Sequence, residues 1–314
     1  LESALALVEQ LDDLKGLMMK VGQMASYLDP TLPPRARKVL STLQANSKPM
    51  TFESIDQIFM EDFGKSATDL FDRFTTEPFA AASIGQVHEA WQGDQKLAVK
   101  VQYPGIRSAI TSDLNTVGTL ARLGTMTMSL DTKAIFDELR ERMAQETDYL
   151  SEAAFQSAFA KLLERWPDVS VPAVHEDLST ERILTSGFSP GLSFQSFTDS
   201  ASQEIKNRAA ERIFEVSFST ILKHCLYNAD PHPGNYLFDE DGGVTFLDFG
   251  CVLEFSPKTI ELWKTIANAV MDGDRATFRE GTVETGMIID PDKLDWDHHW
   301  KVLQYIYEPY MIPN

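Results

Sequence analysis

The first apolar positions keep a helical period. Leu14, Leu17, Val21, Met24 and Leu28 recur at three- and four-residue steps, which predicts a helix over residues 1 to about 28. Gly22 interrupts it, between Lys20 and Gln23, where a glycine costs about 1 kcal/mol relative to alanine. "DPTLPP" (29–34) ends the helix, because two successive prolines cannot continue it. Residues 35–73 read as short helical pieces, one of them starting at Thr51 or Ser54 and stopping at Gly64. The pattern then changes to short strands over 77–105, with Gly93 and Asp94 turning a hairpin between "QVHEAW" and "KLAVKVQ". Residues 131–166 return to a helical period, long, charged and amphipathic, ended by Pro167. Two further short strands fall in 169–188, and "SPG" follows as a hinge-like link. Beyond about residue 190 helices dominate, interrupted over 228–250 by a loop and a β-hairpin turning on Gly242 and Gly243. A small antiparallel sheet with one long helix thus precedes a helical half. The expectation is a two-lobed α+β architecture with any ligand site in the cleft between the lobes.

Composition narrows the function. The chain has 314 residues, 43% of them hydrophobic, enough for one large domain or two lobes. Its net charge of -19 argues against nucleic acid, and against purely electrostatic docking on anionic lipid. Two cysteines, Cys225 and Cys251, are too few for a disulfide framework and make a reducing compartment the default. No stretch approaches the roughly 18 apolar residues of a membrane span, and no signal peptide is visible. The chain begins at Leu1 without a methionine and stops at "YEPYMIPN". It reads as a fragment, so missing targeting or anchoring segments prove little.

Three stretches carry candidate chemistry. In "TFLDFG" (245–250), Asp248 ends an apolar strand, poised to leave the sheet and bind a divalent cation. Eighteen residues upstream, "NADPHPGN" offers Asp230 and Asn235 in a proline-stiffened loop. Carboxylate and carboxamide oxygens are hard donors suited to Mg²⁺ with phosphate. Either motif alone is as well explained by turn residues beside a hairpin; their order and spacing together make that reading much weaker. In "LAVKVQ" (97–102), Lys100 alternates with Val99 and Val101. The bland reading is a lysine on the solvent face of an edge strand; the sharper one is a lysine reaching nucleotide phosphates and held by a helical glutamate. "QETDYLSEAAF" supplies the acids. On a continuous helix Asp148 and Glu152 share a face while Glu146 points nearly the opposite way, so one glutamate could hold Lys100 and another face a different partner. The alternative is a solvated acidic face.

Taken in order, "KVGQ", "AAASIGQVH", "AVKVQ", "ETDYLSEA", "DPHPGN" and "LDFG" resemble the UbiB (AarF/ADCK) family of atypical protein-kinase-like proteins, over about residues 10–290. The resemblance implies a two-lobed protein-kinase-like fold, α+β, with a helical extension carrying the KxGQ motif over 1–75, an N-lobe over 76–188 and a helical C-lobe over 189–314. It implies that Lys100, paired with Glu152, is the nucleotide-phosphate lysine, that Asn235 and Asp248 ligate Mg²⁺, and that Asp230 stands where a kinase places its catalytic base. The segment Ala80, Ala81, Ala82, Ser83, Ile84, Gly85 and Gln86 would replace the glycine-rich phosphate loop. Alanines stiffen that loop, so an altered nucleotide preference and a cramped site are expected. Lys20, Gly22 and Gln23 would belong to an occluding helix packed over the active site, Lys20 meeting Glu146, with Asp148 as the other acid of the ExD motif. On this reading Gly22 lets the helix backbone approach the cleft closely.

The resemblance therefore implies an enzyme using ATP (or ADP) and Mg²⁺, an ATPase or a kinase of small or lipid molecules. It points to ubiquinone or other isoprenoid-lipid metabolism at a membrane surface, in the cytoplasm or an organelle matrix. Its partners would be a nucleotide and an isoprenoid or phenolic lipid-like molecule. The alternative is a nucleotide-gated module that binds lipid or protein with little turnover; an ordinary protein kinase is disfavoured by the occluding helix. His88 and His232 read as structural. His298 and His299 with Asp295 and Asp297 read as a solvated helix start, and Trp91, Trp263 and Trp296 as core or surface aromatics. Cys251 follows the DFG glycine, so on the resemblance it would fall near the nucleotide.

Overall fold

Thr51 and Gly64 bracket helix α1 (Phe52–Phe63) as the capping pattern requires: the Thr51 side chain accepts the Ser54 N–H, and Gly64 closes the helix in the left-handed conformation. The computed structural model describes residues 50–82, 84–112, 144–288 and 290–311. The chain divides into two units, one comprising residues up to Ala209 with Asp230–Cys251, the other Ala210–Ala229 with Val252 onward.

In the first unit, α1 and α2 (Ala67–Leu70) lead into an antiparallel sheet. Its strands are β1 (Arg73–Phe74), β2 (Ala80–Ala82), β3 (Gly85–Gln92), β4 (Gln95–Gln102) and, from later in the chain, β6 (Ile183–Gly187). The order is β1-β3-β4-β6, with β2 pairing the opening residues of β3. The alternation read from the sequence holds along β4, where Leu97, Val99 and Val101 are buried and pack with Ile55 and Phe59 of α1 and Phe71 and Phe74. Gly85 is a glycine for a steric reason: a Cβ there would collide with the Val101 carbonyl on the neighbouring strand.

Helix α3 (Tyr149–Leu163) corrects the expected continuous helix over 131–166. Residues 113–143 lie outside the described residues. The helical turn at 144–146 is broken before Tyr149, where Asp148 caps α3 by accepting the Leu150 and Ser151 N–H groups. Aspartate competes well for such backbone donors, so it starts a helix here rather than continuing one. The shared face expected for Asp148 and Glu152 therefore does not exist.

A second sheet has the order β5 (Val169–Ser170), β10 (Val244–Phe246), β9 (Tyr236–Phe238) and β7 (Leu192–Ser193). Strands β9 and β10 are the expected hairpin, and β5 joins β10 in parallel. Phe197 of α4 (Phe194–Ser200) stacks on Phe238 with ring centroids 4.4 Å apart. Helix α5 (Gln203–His224) begins in this unit and ends in the second.

The second unit continues with β8 (Leu226–Asn228) paired to β11 (Val252–Glu254), then α6 (Pro257–Asp272), α7 (Arg275–Glu284) and α8 (Trp296–Met311). Its core gathers Ile266, Val270, Phe278 and Trp300. The β8–β11 pair escapes sequence reading because three residues are too few to display a period. Around the start of α8, Asp295 accepts the His298 N–H, Asp297 pairs with Arg275, and the His299 ring lies 5.5 Å from Phe278. Among the described residues, no helix is long and apolar enough to cross a membrane.

Candidate active site

Strand β4 delivers Lys100, α3 delivers Glu152 from its first turn, and the loop after β10 delivers Asp248. Lys100 Nζ donates to both carboxylate oxygens of Glu152, at 2.9 and 3.0 Å, and to Asp248 Oδ2 at 3.3 Å. The Glu152 side chain is 2% exposed, against 16% for Lys100 and 22% for Asp248. A buried glutamate therefore anchors the lysine from behind, while the aspartate stands on the accessible side.

One ammonium faces two carboxylates in a buried setting, and burial and these charges together set the electrostatics. Burial alone would pull the Lys100 ammonium down, but the Asp248 and Glu152 charges outweigh it and hold the group well above the usual lysine range. Glu152 moves the other way from a normal acid: burial pushes it up to about 7, the Lys100 charge opposes this, and the Asp248 charge adds to it. The Tyr149 ring lies 4.9 Å from Lys100 Nζ on the same helix as Glu152. Burial raises the Tyr149 phenol far above its ordinary range, so it stays neutral beside the charges.

The loop that carries Asp248 is fixed at both sides. Phe249 is fully buried and packs against Phe159 of α3, ring centroids 5.1 Å apart. The Gly250 N–H donates to Asp248 Oδ1 at 2.9 Å. A Cβ on Gly250 would lie 3.3 Å from Asp248 Oδ1, tighter than an ordinary contact, so glycine leaves room for the Asp248 carboxylate.

These groups open into a cavity of about 680 Å³ within the first unit. Of the residues singled out from the sequence, Ala80, Ala81, Ala82, Lys100, Glu152, His232, Asn235 and Asp248 line it. Asp230 belongs to the same turn as Asn235: its backbone carbonyl accepts the Asn235 amide at 3.1 Å, and its Oδ1 accepts the His232 N–H at 3.3 Å. His232 caps this turn, its Nδ1 accepting the Gly234 N–H. Other residues of the alanine-rich segment lie elsewhere. Ile84 sits in an apolar cluster with Tyr149 and Leu184, Gly85 is occupied in the sheet, and Gln86 is buried in hydrogen bonds to His88 and Met50. Glu146 is buried and Asp148 is the α3 cap. Lys20, Gly22, Gln23 and Ser83 lie outside the described residues, as does the expected packing of the KxGQ helix.

Sequence reading missed the apolar wall. Phe79, Val87, Ala98, Leu184, Phe188 and Leu237 also line the cavity. Val87 and Ala98 were accessible in principle, since they share the Lys100 face by strand alternation. Phe79 and Phe188, 5.7 Å apart by ring centroid, are brought together only by the fold.

The model of the ABC1 atypical kinase-like domain matches residues 42–281. The chain belongs to this family. Relatives of this ABC1 chain include the "Atypical kinase coq-8, mitochondrial" of Caenorhabditis elegans, 29% identical over 90% of this chain and 38% of the worm protein. The "Atypical kinase COQ8B, mitochondrial" of Rattus norvegicus is 31% identical over 86% of this chain and 52% of the rat protein. The chain thus spans about half or less of the length of these two relatives. A solved structure, Rv3197 of Mycobacterium tuberculosis in complex with erythromycin, superposes with a TM-score of 0.70 at 29% identity, covering 99% of this chain and 80% of that one. The α+β, kinase-like fold and the UbiB-type atypical kinase assignment expected from the motifs stand on these matches.

Proposed function

We propose that this ABC1 domain binds ATP or ADP with Mg²⁺ in the 680 Å³ cavity and uses it to hydrolyse ATP or to phosphorylate a small or lipid molecule. The observation that carries this reading is the Lys100–Glu152–Asp248 cluster at the cavity wall. Its residues fit the implied ligand. Two carboxylates against one ammonium leave a surplus negative charge when all three are ionised, and the Asp248 charge adds to the burial that pushes Glu152 up to about 7. A divalent cation relieves that surplus. Asp248 and Asn235, both on the cavity wall, are the oxygen donors that would hold Mg²⁺. The ion would supply charge neutralisation for phosphate. Glu152 keeps Lys100 charged and aimed at the cavity, so the ammonium can donate to nucleotide phosphate. Asp230 is assigned to accept the proton of the attacking hydroxyl or water.

The names of the worm and rat relatives place them in mitochondria and call them atypical kinases. By analogy we assign this chain to ubiquinone or related isoprenoid-lipid metabolism, peripheral to a membrane of an organelle or cell. The apolar wall of Phe79, Phe188, Leu184 and Leu237 favours a second reading, a nucleotide-gated binder of a bulky apolar ligand with little turnover. Steady-state ATP hydrolysis, with and without phenolic or isoprenoid compounds, separates the two.

The direct test is thermal unfolding with Mg²⁺ and each of ATP, ADP and GTP, on the wild type and Asp248→Asn. A ligand at 100 times its dissociation constant adds about 2.7 kcal/mol of stability. A metal-dependent upward shift, absent in Asp248→Asn, supports the nucleotide site. No shift with any nucleotide overturns it.

A further inference from the structure

Two polar residues of the "SIGQVH" stretch, Gln86 and His88, do not line the cavity. On β3, Val87 lines the cavity and pairs with Lys100 on one side and Ala80 on the other. Gln86 and His88 flank it on the opposite face, 1% and 0% exposed. A buried amide and imidazole must find partners, and these find each other. His88 Nδ1 lies 2.7 Å from the Thr75 carbonyl oxygen, His88 Nε2 lies 2.9 Å from Gln86 Nε2, and Gln86 Oε1 accepts the Met50 backbone N–H at 2.8 Å.

The two ends of this chain fix every proton in it. A backbone carbonyl can only accept, so His88 Nδ1 carries a hydrogen and donates to Thr75. In a neutral imidazole Nε2 is then an acceptor, and the Gln86 amide nitrogen donates to it. The Gln86 carbonyl is left to accept from Met50, whose N–H can only donate. One tautomer and one amide orientation satisfy all four groups.

A second proton on His88 breaks this logic. Nε2 becomes a donor facing the Gln86 NH₂. Gln86 can answer only by turning its amide, which presents NH₂ to the Met50 N–H and loses that bond. We propose that Gln86 and His88 are a proton-sensitive relay that pins Met50, just ahead of α1, to the back of the strand forming the cavity wall. The surroundings keep the relay neutral near pH 7. His88 stacks on Phe74 at 5.0 Å between ring centroids, and it faces Val99 across the β3–β4 ladder. Burial pushes the imidazole below its ordinary 6.5, against smaller opposing effects of the Thr75 carbonyl and the Glu77 carboxylate, the charged group that acts on it. A depressed value means that the stabilisation is fully present above about pH 6.5 and is lost as pH falls through the lower folded-state value. The relay does not depend on what the cavity binds.

Hydrogen exchange at the Met50 amide reads the last bond of the relay directly. Rates are corrected for intrinsic chemistry and referenced to amides of the β3–β4 ladder. At pH 7.5 the wild type shows Met50 protected at least tenfold, with nitrogen shifts placing the His88 hydrogen on Nδ1. Protection falls as pH drops through the lowered His88 range, and falls tenfold or more in Gln86→Leu and His88→Phe at pH 7.5, while the ladder stays protected. Gln86→Glu discriminates: its carboxylate accepts from a charged His88 and from Met50 together, so Met50 stays protected at pH 5. Lys100→Met leaves Met50 protection unchanged whatever it does to nucleotide binding, which separates this proposal from the nucleotide reading. Wild-type protection that ignores pH, a hydrogen on Nε2 at pH 7.5, or full protection in Gln86→Leu would overturn the relay. The two wild-type measurements decide the matter even where a variant fails to fold.

Discussion

Lys100 and Glu152, 52 residues apart in the chain, meet through two hydrogen bonds of 2.9 and 3.0 Å, with the glutamate buried and the lysine at the edge of the cavity. The pair is asymmetric. Glu152 is tied into α3 and buried around the ammonium. Lys100 keeps 16% of its side chain exposed, at the cavity wall. A charge-assisted, two-pronged contact fixes direction as well as distance.

Lys100→Met removes the ammonium but retains most of the stem. A hydrogen bond to a charged group contributes about 1.5–3 kcal/mol, so Mg²⁺–nucleotide affinity is expected to fall roughly 10- to 100-fold. Titration calorimetry against the wild type checks this. Equal affinities would show that the lysine has no part in binding.

The pH response of the cluster has a definite sign. Glu152 is raised from 4.5 to about 7, so it favours the folded state most when protonated; this contribution is full below pH 4.5 and is lost as pH rises through about 7. Urea unfolding of the wild type at pH 5 and pH 8 contains this loss. Glu152→Gln cannot ionise and removes it, so stability at pH 8 relative to pH 5 is higher in the variant than in the wild type. An unchanged difference would mean that Glu152 ionises as an ordinary acid.

Gly250→Ala is a test of space rather than of backbone freedom. The new Cβ falls 3.3 Å from Asp248 Oδ1 and 3.5 Å from Glu152 Oε2, so the aspartate must shift by a few tenths of an ångström. The expected result is Mg²⁺–nucleotide binding weakened several-fold with the melting temperature nearly unchanged. Loss of stability without loss of affinity would contradict the steric account.

Phe249→Ala deletes a fully buried ring packed on Phe159. Large-to-small changes of this kind cost about 3–5 kcal/mol. Chemical denaturation should show a cost of that size, and nucleotide binding should weaken as well, because the ring holds the neighbour of Asp248 against α3. A cost under about 1 kcal/mol would mean that the site has collapsed around the loss.

Asp230→Asn keeps the size of the side chain and its place in the turn, where Oδ1 accepts the His232 N–H. Removing the proton acceptor should lower turnover by 100-fold or more with nucleotide affinity changed less than threefold. Turnover unchanged in steady-state hydrolysis would remove Asp230 from the catalytic role.

Local pattern was enough for much of the architecture. Thr51 and Gly64 cap α1, Gly93 turns β3 into β4, and Gly242 and Gly243 turn β9 into β10, because each depends on residues within one turn of itself. The alternation of Leu97, Val99 and Val101 against Lys100 fixed which face of β4 carries the lysine. Where local signals competed, sequence reading failed. A helical period ran through residues 144–152, yet Asp148 took the Leu150 and Ser151 N–H groups and started a new helix.

Residue order alone dictates which chemical groups exist and how they succeed one another: a lysine on an apolar strand, a glutamate after a capped turn, an aspartate ahead of Phe249 and Gly250. Their meeting is a product of the fold. Lys100 and Asp248 are 148 residues apart, and no periodicity reports a distance across that separation. It likewise decided that Val87 faces the cavity while Gln86 and His88 face the core. A strand's two-residue period separates its faces, but which of them is buried depends on what packs against each. Here that was Ile55 and Phe59 of α1, contributed from about 30 residues upstream.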